Sequence, residues 1–297
     1  MPSQPIQKNI TKGIAYLVLS SFCFALMGML VHLSGSVPFV QKTFFRNIVA
    51  LFIALGILLK DRVKNRARIT IPHGAFKYLL LRSAAGSLGI FGNFYAIDRI
   101  NIADASILNK MSPFFAVVFS FFLLGEKIDA VPLLAICGAL GGAMLVVKPT
   151  FDFSAALPSL AGFAGGMGAG FAYACVRKMS VMKVNSSVIV TFFSAFSYLI
   201  AVPFLIAHFT LMTPPQLLAL MGAGVAAAGG QFGITAAYFS APASKISIFD
   251  YSQILFSSLM GYFAFGQIPD TLSLCGYAAI IAMAAVVFVY NRKKSIL

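Results

Sequence analysis

Charged residues are scarce in this chain: only 10% of its 297 residues are Asp, Glu, Lys or Arg. A soluble domain carries about 25% charged residues. Hydrophobic residues make up 60% of the chain, and apolar runs of about 20 residues, the length that crosses a bilayer, recur along almost all of it. The composition therefore argues against a soluble protein and predicts an integral membrane protein.

Cysteine and histidine, two common metal ligands, are also few. The four cysteines are Cys23, Cys137, Cys175 and Cys275. All four lie in apolar runs without metal-ligand spacing, so we expect them to be small core residues. The three histidines have no second ligand at a suitable spacing either. We therefore expect neither a metal site nor a cofactor.

Motifs of membrane-embedded enzymes and of ATP-driven pumps are missing. The sequence has no His-Glu-x-x-His, no Gly-x-Ser-x-Gly and no Walker motif. It also has no pair of carboxylates within the apolar runs, which most hydrolytic mechanisms would need. We therefore expect that the protein is not an enzyme.

The apolar runs predict ten transmembrane spans. We place them at residues 13–33, 38–60, 75–97, 103–124, 130–148, 157–177, 186–207, 215–239, 244–266 and 271–290. Loop-forming residues, for example Ser34-Gly35-Ser36 and Pro214-Pro215, separate neighbouring spans. No small-residue cleavage site follows the first run, so we expect no removed signal peptide.

Basic residues alternate between the loops of the two membrane sides. Sixteen of the 22 basic residues fall in the terminal segments and loops of one side, two (Arg99 and Lys148) fall on the other, and four lie within spans. Because basic loops stay in the cytoplasm, both termini are predicted to be cytoplasmic in a multi-pass protein of the plasma (inner) membrane. The net charge of +14 is then a topology signal, and we expect no nucleic-acid partner.

The two halves of the sequence resemble each other. Three matches occur in the same order: Thr43-Phe44-Phe45 with Thr191-Phe192-Phe193, Gly125 with Gly266, and Cys137-Gly138 with Cys275-Gly276. They predict two five-helix repeats, residues 1–150 and 151–297. Because five is odd, the second repeat is inverted in the membrane, an arrangement typical of secondary transporters that work by alternating access.

Segments spread over nearly the whole chain also resemble a known family. They are Arg46, residues 103–126 with Pro113, Arg177-Lys178, Ala241-Pro242-Ala243-Ser244, Phe249-Asp250-Tyr251 and Phe265-Gly266-Gln267. In these segments the chain is similar to the drug/metabolite transporter superfamily, in its ten-helix EamA type. The resemblance implies an all-α membrane fold, with ten helices in two inverted repeats around a central cavity. Family members commonly have an acidic residue at the position of Gln267 and often Glu at the position of Asp250. The second difference lies where substrate or protons would bind, so it leaves the identity of the ligand open.

Polar residues in span 9 form one candidate binding face. Asp250, Gln253 and Ser257 are spaced to share one side of a helix. Ionisable residues in a membrane are costly and are functional candidates by default. Asp250, about 10 Å from the cytoplasmic helix end at 1.5 Å per residue, is also the candidate for proton coupling.

Span 4 offers a matching face with Asn109, Ser112 and Ser120. Aligning the repeats on their glycines pairs Asn109 with Asp250. Pro113 frees a backbone carbonyl near Asn109, which is tolerated where the carbonyl lines a cavity. Ordinary hydrogen bonding between helices is the alternative explanation for both polar faces.

Four basic residues lie within the spans. Lys42 and Arg82 are expected to snorkel to the membrane surfaces. Arg46 is too deep for that, and needs a carboxylate, carbonyl groups or an anionic ligand. Lys110, next to Asn109, is a further candidate. Against one clear acid, Asp250, these residues predict a positive cavity that favours amino acids or organic acids.

Aromatic residues accompany these positions: Phe44, Phe45, Phe94, Tyr95, Tyr173, Phe249 and Tyr251. With 30 phenylalanines in the chain, packing is the simpler explanation for most. Phe45, Tyr173 and Tyr251 are the substrate-binding candidates among them, because the two buried hydroxyl groups need partners.

The leading hypothesis is a carrier for a small polar or amphipathic metabolite that acts as a monomer or homodimer in the lipid bilayer. It works by alternating access, with proton coupling or by facilitated diffusion. One alternative is an exporter of cations, drugs or aromatic compounds that binds them at Asp250. A channel, which would show a polar pore-lining stripe, and an intramembrane enzyme are alternatives of other classes.

Overall fold

The computed structural model describes residues 4–63, 71–97, 99–100, 102–150, 156–207 and 209–294, and the regular structure within these ranges is all helical. The helices are α1 (Gln4–Leu33), α2 (Phe39–Val63), α3 (Ala75–Ile97), α4 (Ile102–Asn109), α5 (Ser112–Leu124), α6 (Ala130–Val147), α7 (Ala156–Val181), α8 (Ser186–Ala207), α9 (Pro214–Ser240), α10 (Ala243–Ile246), α11 (Ser252–Phe265) and α12 (Thr271–Lys294). The expected all-α membrane fold is confirmed. Residues 64–70, which make up much of a basic loop, and the side chain of Phe94 lie outside the described residues.

The outer surface of the helices is apolar, as a lipid-facing surface must be. Eight stretches within the described residues are long and apolar enough to cross a membrane. Large side chains such as Phe122 and Phe263 point outward from them. Cys137 and Cys275 are exposed as well, so the expectation that all four cysteines are core residues is wrong for these two. An apolar residue in a membrane protein can face lipid as readily as the core.

Spans 4 and 9 are each broken, which corrects the prediction of continuous helices. Span 4 is divided into α4 and α5 at Lys110 and Met111, immediately before Pro113. Span 9 consists of α10, a 3-10 turn (Ser247–Tyr251) and α11. Pro113 lacks the N–H that would continue the helix, which accounts for the first break.

The glycines that end the broken spans adopt the same conformation. Gly125, after α5, has φ +67°, and Gly266, after α11, has φ +65°. This left-handed conformation is open to glycine without the strain that a Cβ brings, and it is a common way to end a helix.

Small residues set the closest helix contacts. In the pair α3 and α7, a Cβ added at Gly92 would lie 2.5 Å from the carbonyl oxygen of Ala161. In the pair α1 and α9, a Cβ added at Gly233 would lie 3.0 Å from Ser20. Helices in lipid gain packing energy when small residues let their backbones approach.

Gly170→Ala is predicted to destabilise the protein. Its Cβ would lie 2.5 Å from Phe115 Cβ and 2.8 Å from both the Ser112 carbonyl oxygen and the Ala116 nitrogen. Because these atoms belong to α5 at the break of span 4, they have little room to move, and we expect a cost of about 1–3 kcal/mol. Thermal unfolding in detergent measures it. Gly141→Ala is the control, because nothing lies within 4 Å of a Cβ there, and an equal loss in both variants would contradict the account.

Candidate functional site

Lys110 stands at the break between α4 and α5 and reaches the break of span 9. Its Nζ donates a hydrogen bond of 2.6 Å to Gln253 Oε1 and lies 3.7 Å from Asp250 Oδ2. The side chains of Lys110 and Asp250 are only 12% and 7% exposed. The structure therefore brings three predicted site residues together in one buried cluster.

Side-chain hydroxyl groups also bind a backbone carbonyl at each of the two breaks. Tyr251 donates its hydroxyl hydrogen to the carbonyl oxygen of Lys110, at 3.0 Å. Ser21 on α1 donates to the carbonyl oxygen of Asp250, at 3.4 Å. Tyr251 has thus found the hydroxyl partner that burial requires. Asn109, the predicted counterpart of Asp250, lies half-buried at the end of α4, and Ser257 is exposed on α11.

Arg46 on α2 is buried, at 8% exposure. Its Nε and Nη2 donate to Asn47 Oδ1 at 3.3 and 3.2 Å, and Nη1 lies 3.5 Å from the sulfur of Met27. All of these acceptors are neutral. None of these three contacts supplies a negative charge to offset that of the guanidinium.

Arg82 on α3 is even deeper, at 2% exposure, so the prediction that it snorkels is wrong. Its Nη2 donates to Gln231 Oε1 on α9 at 2.7 Å, and its guanidinium lies 3.7 Å from the ring centre of Phe193 on α8. The prediction was based on the position of Arg82 in the sequence, which is close to the end of a span. The amide acceptor and the aromatic face draw the side chain inward instead. Lys42, by contrast, does reach a loop, where its Nζ donates to the carbonyl oxygen of Gly35.

Tyr173 on α7 interacts electrostatically with three of these groups, Asp250, Arg82 and Arg46. Its ring stacks on Tyr238, with 5.5 Å between centroids.

Phe45, the other aromatic candidate, is half-buried on α2. It meets Phe44 edge to face at 5.4 Å, and Phe44 contacts Tyr198 of α8 at 5.1 Å. Phe44 thus packs between α2 and α8, and Phe45 lies against it.

The site carries more positive than negative charge. Lys110 and Asp250 offset each other. Among the described residues, no carboxylate lies within ion-pair distance of Arg46 or Arg82. A buried charge without a partner is costly, so an arrangement of this kind suits a ligand that brings negative charge.

The end of the bundle where α5 ends and α10 begins is closed by polar contacts around Glu126. The Glu126 carboxylate accepts from Arg177 Nε at 2.7 Å and from the backbone nitrogen of Ala243 at 3.1 Å. Arg177 also donates to the carbonyl oxygen of Tyr238, at 3.2 Å. One carboxylate thus ties the end of α5 to α7, α9 and α10.

A second carboxylate, Asp129, adds to the closure. It accepts from Lys245 at 2.5 Å and from Lys294 at 2.7 Å. Burial would raise the pKa of Asp129, but the hydrogen bonds from the two lysines outweigh it and lower the pKa, so the carboxylate stays charged at neutral pH. Ile10 and Asn291 line a cavity of about 310 Å³ beside these groups, which places the first turns of α1 and the last turns of α12 on this face.

Comparison with known proteins identifies the family. The EamA-like transporter family model matches residues 11–148. The pseudopaline exporter CntI of Pseudomonas aeruginosa is 30% identical over 96% of this chain and 98% of its own length. The chain belongs to the EamA-like transporter family. It is therefore a multi-pass membrane transporter and not an enzyme.

More distant similarities extend over most of this EamA-type chain. The riboflavin transporter of Vibrio cholerae is 26% identical over 98% of the chain and 97% of its own length. Human solute carrier family 35 member G1 is 23% identical over 91% of the chain and 77% of its own length. A solved crystal structure superposes with a TM-score of 0.85 at 15% identity, covering 95% of this chain and 98% of that one, which shows the shared fold.

Proposed function

We propose that this chain is a secondary carrier for a small metabolite with a carboxylate or another anionic group, in the amino-acid or organic-acid class. The observation that carries the proposal is the buried excess of positive charge. Among the described residues, the hydrogen-bond acceptors of Arg46 and Arg82 are neutral, and Lys110 is paired with Asp250. An anionic group bound among them supplies the missing counter-charge.

Alternating access by two inverted repeats, residues 1–150 and 151–297, is the mechanism we propose. Spans 4 and 9, which correspond in such a repeat, are both broken and both end in a left-handed glycine. Close contact between α3 and α7 corresponds to close contact between α9 and α1. Broken helices at the interface of two repeats are a recurrent substrate site in transporters.

The closed end supports a conformational assignment. The first turns of α1 and the last turns of α12 lie there, and we propose from the distribution of basic loops that this end faces the cytoplasm. The Glu126 and Asp129 contacts then close the carrier on its cytoplasmic side. Transport requires these contacts to break as the repeats rock around the Lys110–Asp250 cluster.

The relatives and the charge pairing favour a metabolite over a cationic drug. Two relatives are described as a pseudopaline exporter and a riboflavin transporter. The alternative, a cation exporter that binds its substrate at Asp250, is disfavoured because Lys110 lies 3.7 Å from that carboxylate.

Arg46→Gln is predicted to reduce transport at least tenfold, because an amide keeps much of the shape but loses the charge-assisted hydrogen bonds to an anionic ligand. Uptake of labelled amino acids and organic acids into proteoliposomes measures it. Arg99→Gln is the matched control, since Arg99 is exposed and lies over Tyr95, 4.0 Å from the ring centre. Full uptake by the Arg46 variant would remove the basis of the proposal.

Asp250→Asn is predicted to abolish uptake driven by a pH gradient while exchange of substrate across the membrane continues. Asp250 is the acid of the Lys110 cluster and the proposed proton carrier. Proteoliposomes with and without an imposed gradient separate the two activities. If the variant keeps its response to the gradient, Asp250 is not the coupling group.

A further inference from the structure

Arg82 has an unused donor. Among the described residues, its buried Nε has no hydrogen-bond partner, and its Nη2 donates to the neutral Gln231 side chain. A Cβ added at Gly86 would lie 2.5 Å from Arg82 Nη1 and 2.9 Å from the Phe193 ring. Glycine at this position thus leaves space for the guanidinium on the ring. The Arg82 guanidinium is therefore positioned to bind an anionic group.

At Arg46 on α2 the open donor belongs to the neighbouring residue. Both hydrogen bonds from the Arg46 nitrogens to an oxygen go to Asn47 Oδ1, and the buried Asn47 Nδ2 has no partner among the described residues. A buried donor without an acceptor thus lies at each of the two arginines. Leaving such donors unsatisfied is costly, which makes an anionic partner at each group favourable.

The two arginines lie at different levels of the bundle. The backbone of Arg46 is beside Gly224 of α9, where a Cβ would lie 3.1 Å from the Arg46 carbonyl oxygen. Arg82 is held by Gln231 of the same helix. Seven residues of helix separate these positions, or about 10 Å along α9 at 1.5 Å per residue. The Arg46 backbone and the Arg82 guanidinium thus meet α9 two turns apart, which favours two anionic groups over a single carboxylate.

Both arginines lie near Tyr173 of α7, which interacts electrostatically with each of them. Tyr173 also interacts with Asp250, and the Lys110–Asp250 pair adds no net charge to this region.

We propose that Arg46 and Arg82 bind the two anionic groups of one substrate, so that this carrier selects dianionic metabolites such as dicarboxylates. The proposal rests on the proposed function, which itself requires only one anionic group. Phe193 and Gln231 act as positioning residues, because they fix the Arg82 guanidinium from its face and from its edge.

Affinity for paired ligands tests this. The probes are the dicarboxylates from malonate to suberate, each with the monocarboxylate of the same chain length, titrated calorimetrically into the purified full-length protein. At least one dicarboxylate is expected to bind about tenfold or more tightly than its monocarboxylate. Arg82→Gln should remove that preference, because it lowers dicarboxylate affinity about tenfold or more beyond any loss of monocarboxylate affinity. Arg82→Lys keeps the charge and should retain part of the preference, even if Arg82→Gln proves poorly folded.

The outcomes separate this inference from the function beneath it. Equal affinity for both members of every pair, with binding lost in Arg46→Gln, overturns the two-anion site and leaves the proposed function standing. A preference that survives in Arg82→Gln also overturns it. If no carboxylate of either kind binds, both proposals fail.

Discussion

Replacing Lys110 with methionine is expected to lower the free energy of unfolding by about 3–5 kcal/mol, because it leaves the Asp250 carboxylate buried and uncompensated. Asp250 is only 7% exposed, and Lys110 is its ion-pair partner at 3.7 Å. The same change removes the hydrogen bond to Gln253. Thermal and denaturant unfolding in detergent measure the loss.

The double variant Lys110→Met/Asp250→Asn separates stability from function. Removing both charges leaves no unpaired ion, so most of the lost stability should return. Uptake driven by a pH gradient should not return if the pair takes part in coupling. A double variant that recovers both stability and this uptake would show that the pair is only structural. Lys148→Met is the control, because Lys148 pairs with Asp270 at an exposed position and its loss should change little.

Glu126→Gln is expected to open the closed end of the bundle. The carboxylate holds Arg177 and the backbone of Ala243, and an amide has one acceptor oxygen and no charge. Losing charge-assisted bonds of this kind costs about 1.5–3 kcal/mol, enough to shift a two-state equilibrium about tenfold or more. The closed state should then be less populated.

Labelling of a buried position measures that shift. Ser244 lies in the closed region and is 5% exposed, so Ser244→Cys in a cysteine-free background reports access from that side. Its reaction with a water-soluble maleimide should accelerate about tenfold in Glu126→Gln. Asp270→Asn breaks an ion pair with Lys148 and is the control, for which no acceleration is expected. Equal rates with and without Glu126 would show that these contacts do not hold the closed state.

Apolar patterning was enough to predict the fold, because bilayer thickness fixes how long an apolar helix must be. The helix bounds agree with the predicted spans to within a few residues at most ends, with α1 a clear exception at its start. The sequence also singled out Asp250, Gln253 and Lys110, which the structure brings together. They stood out because polar residues are rare in such a sequence.

The depth of Arg82 and the break in span 9 could not be predicted in the same way. Long basic side chains near a helix end usually reach water, and only the position of Gln231 on another helix reverses that for Arg82. Span 9 contains no proline from which the 3-10 turn could be predicted. Both features depend on contacts between residues far apart in sequence, which helical periodicity does not contain.

The most direct test of the central claim is thermal stabilisation of the purified protein by a panel of amino acids, organic acids and quaternary amines. A ligand that binds the native state raises the melting temperature by mass action. The buried positive site predicts a rise with one or more compounds that carry an anionic group, lost in Arg46→Gln. A rise with quaternary amines alone, lost in Asp250→Asn, would contradict the account and identify a cation carrier.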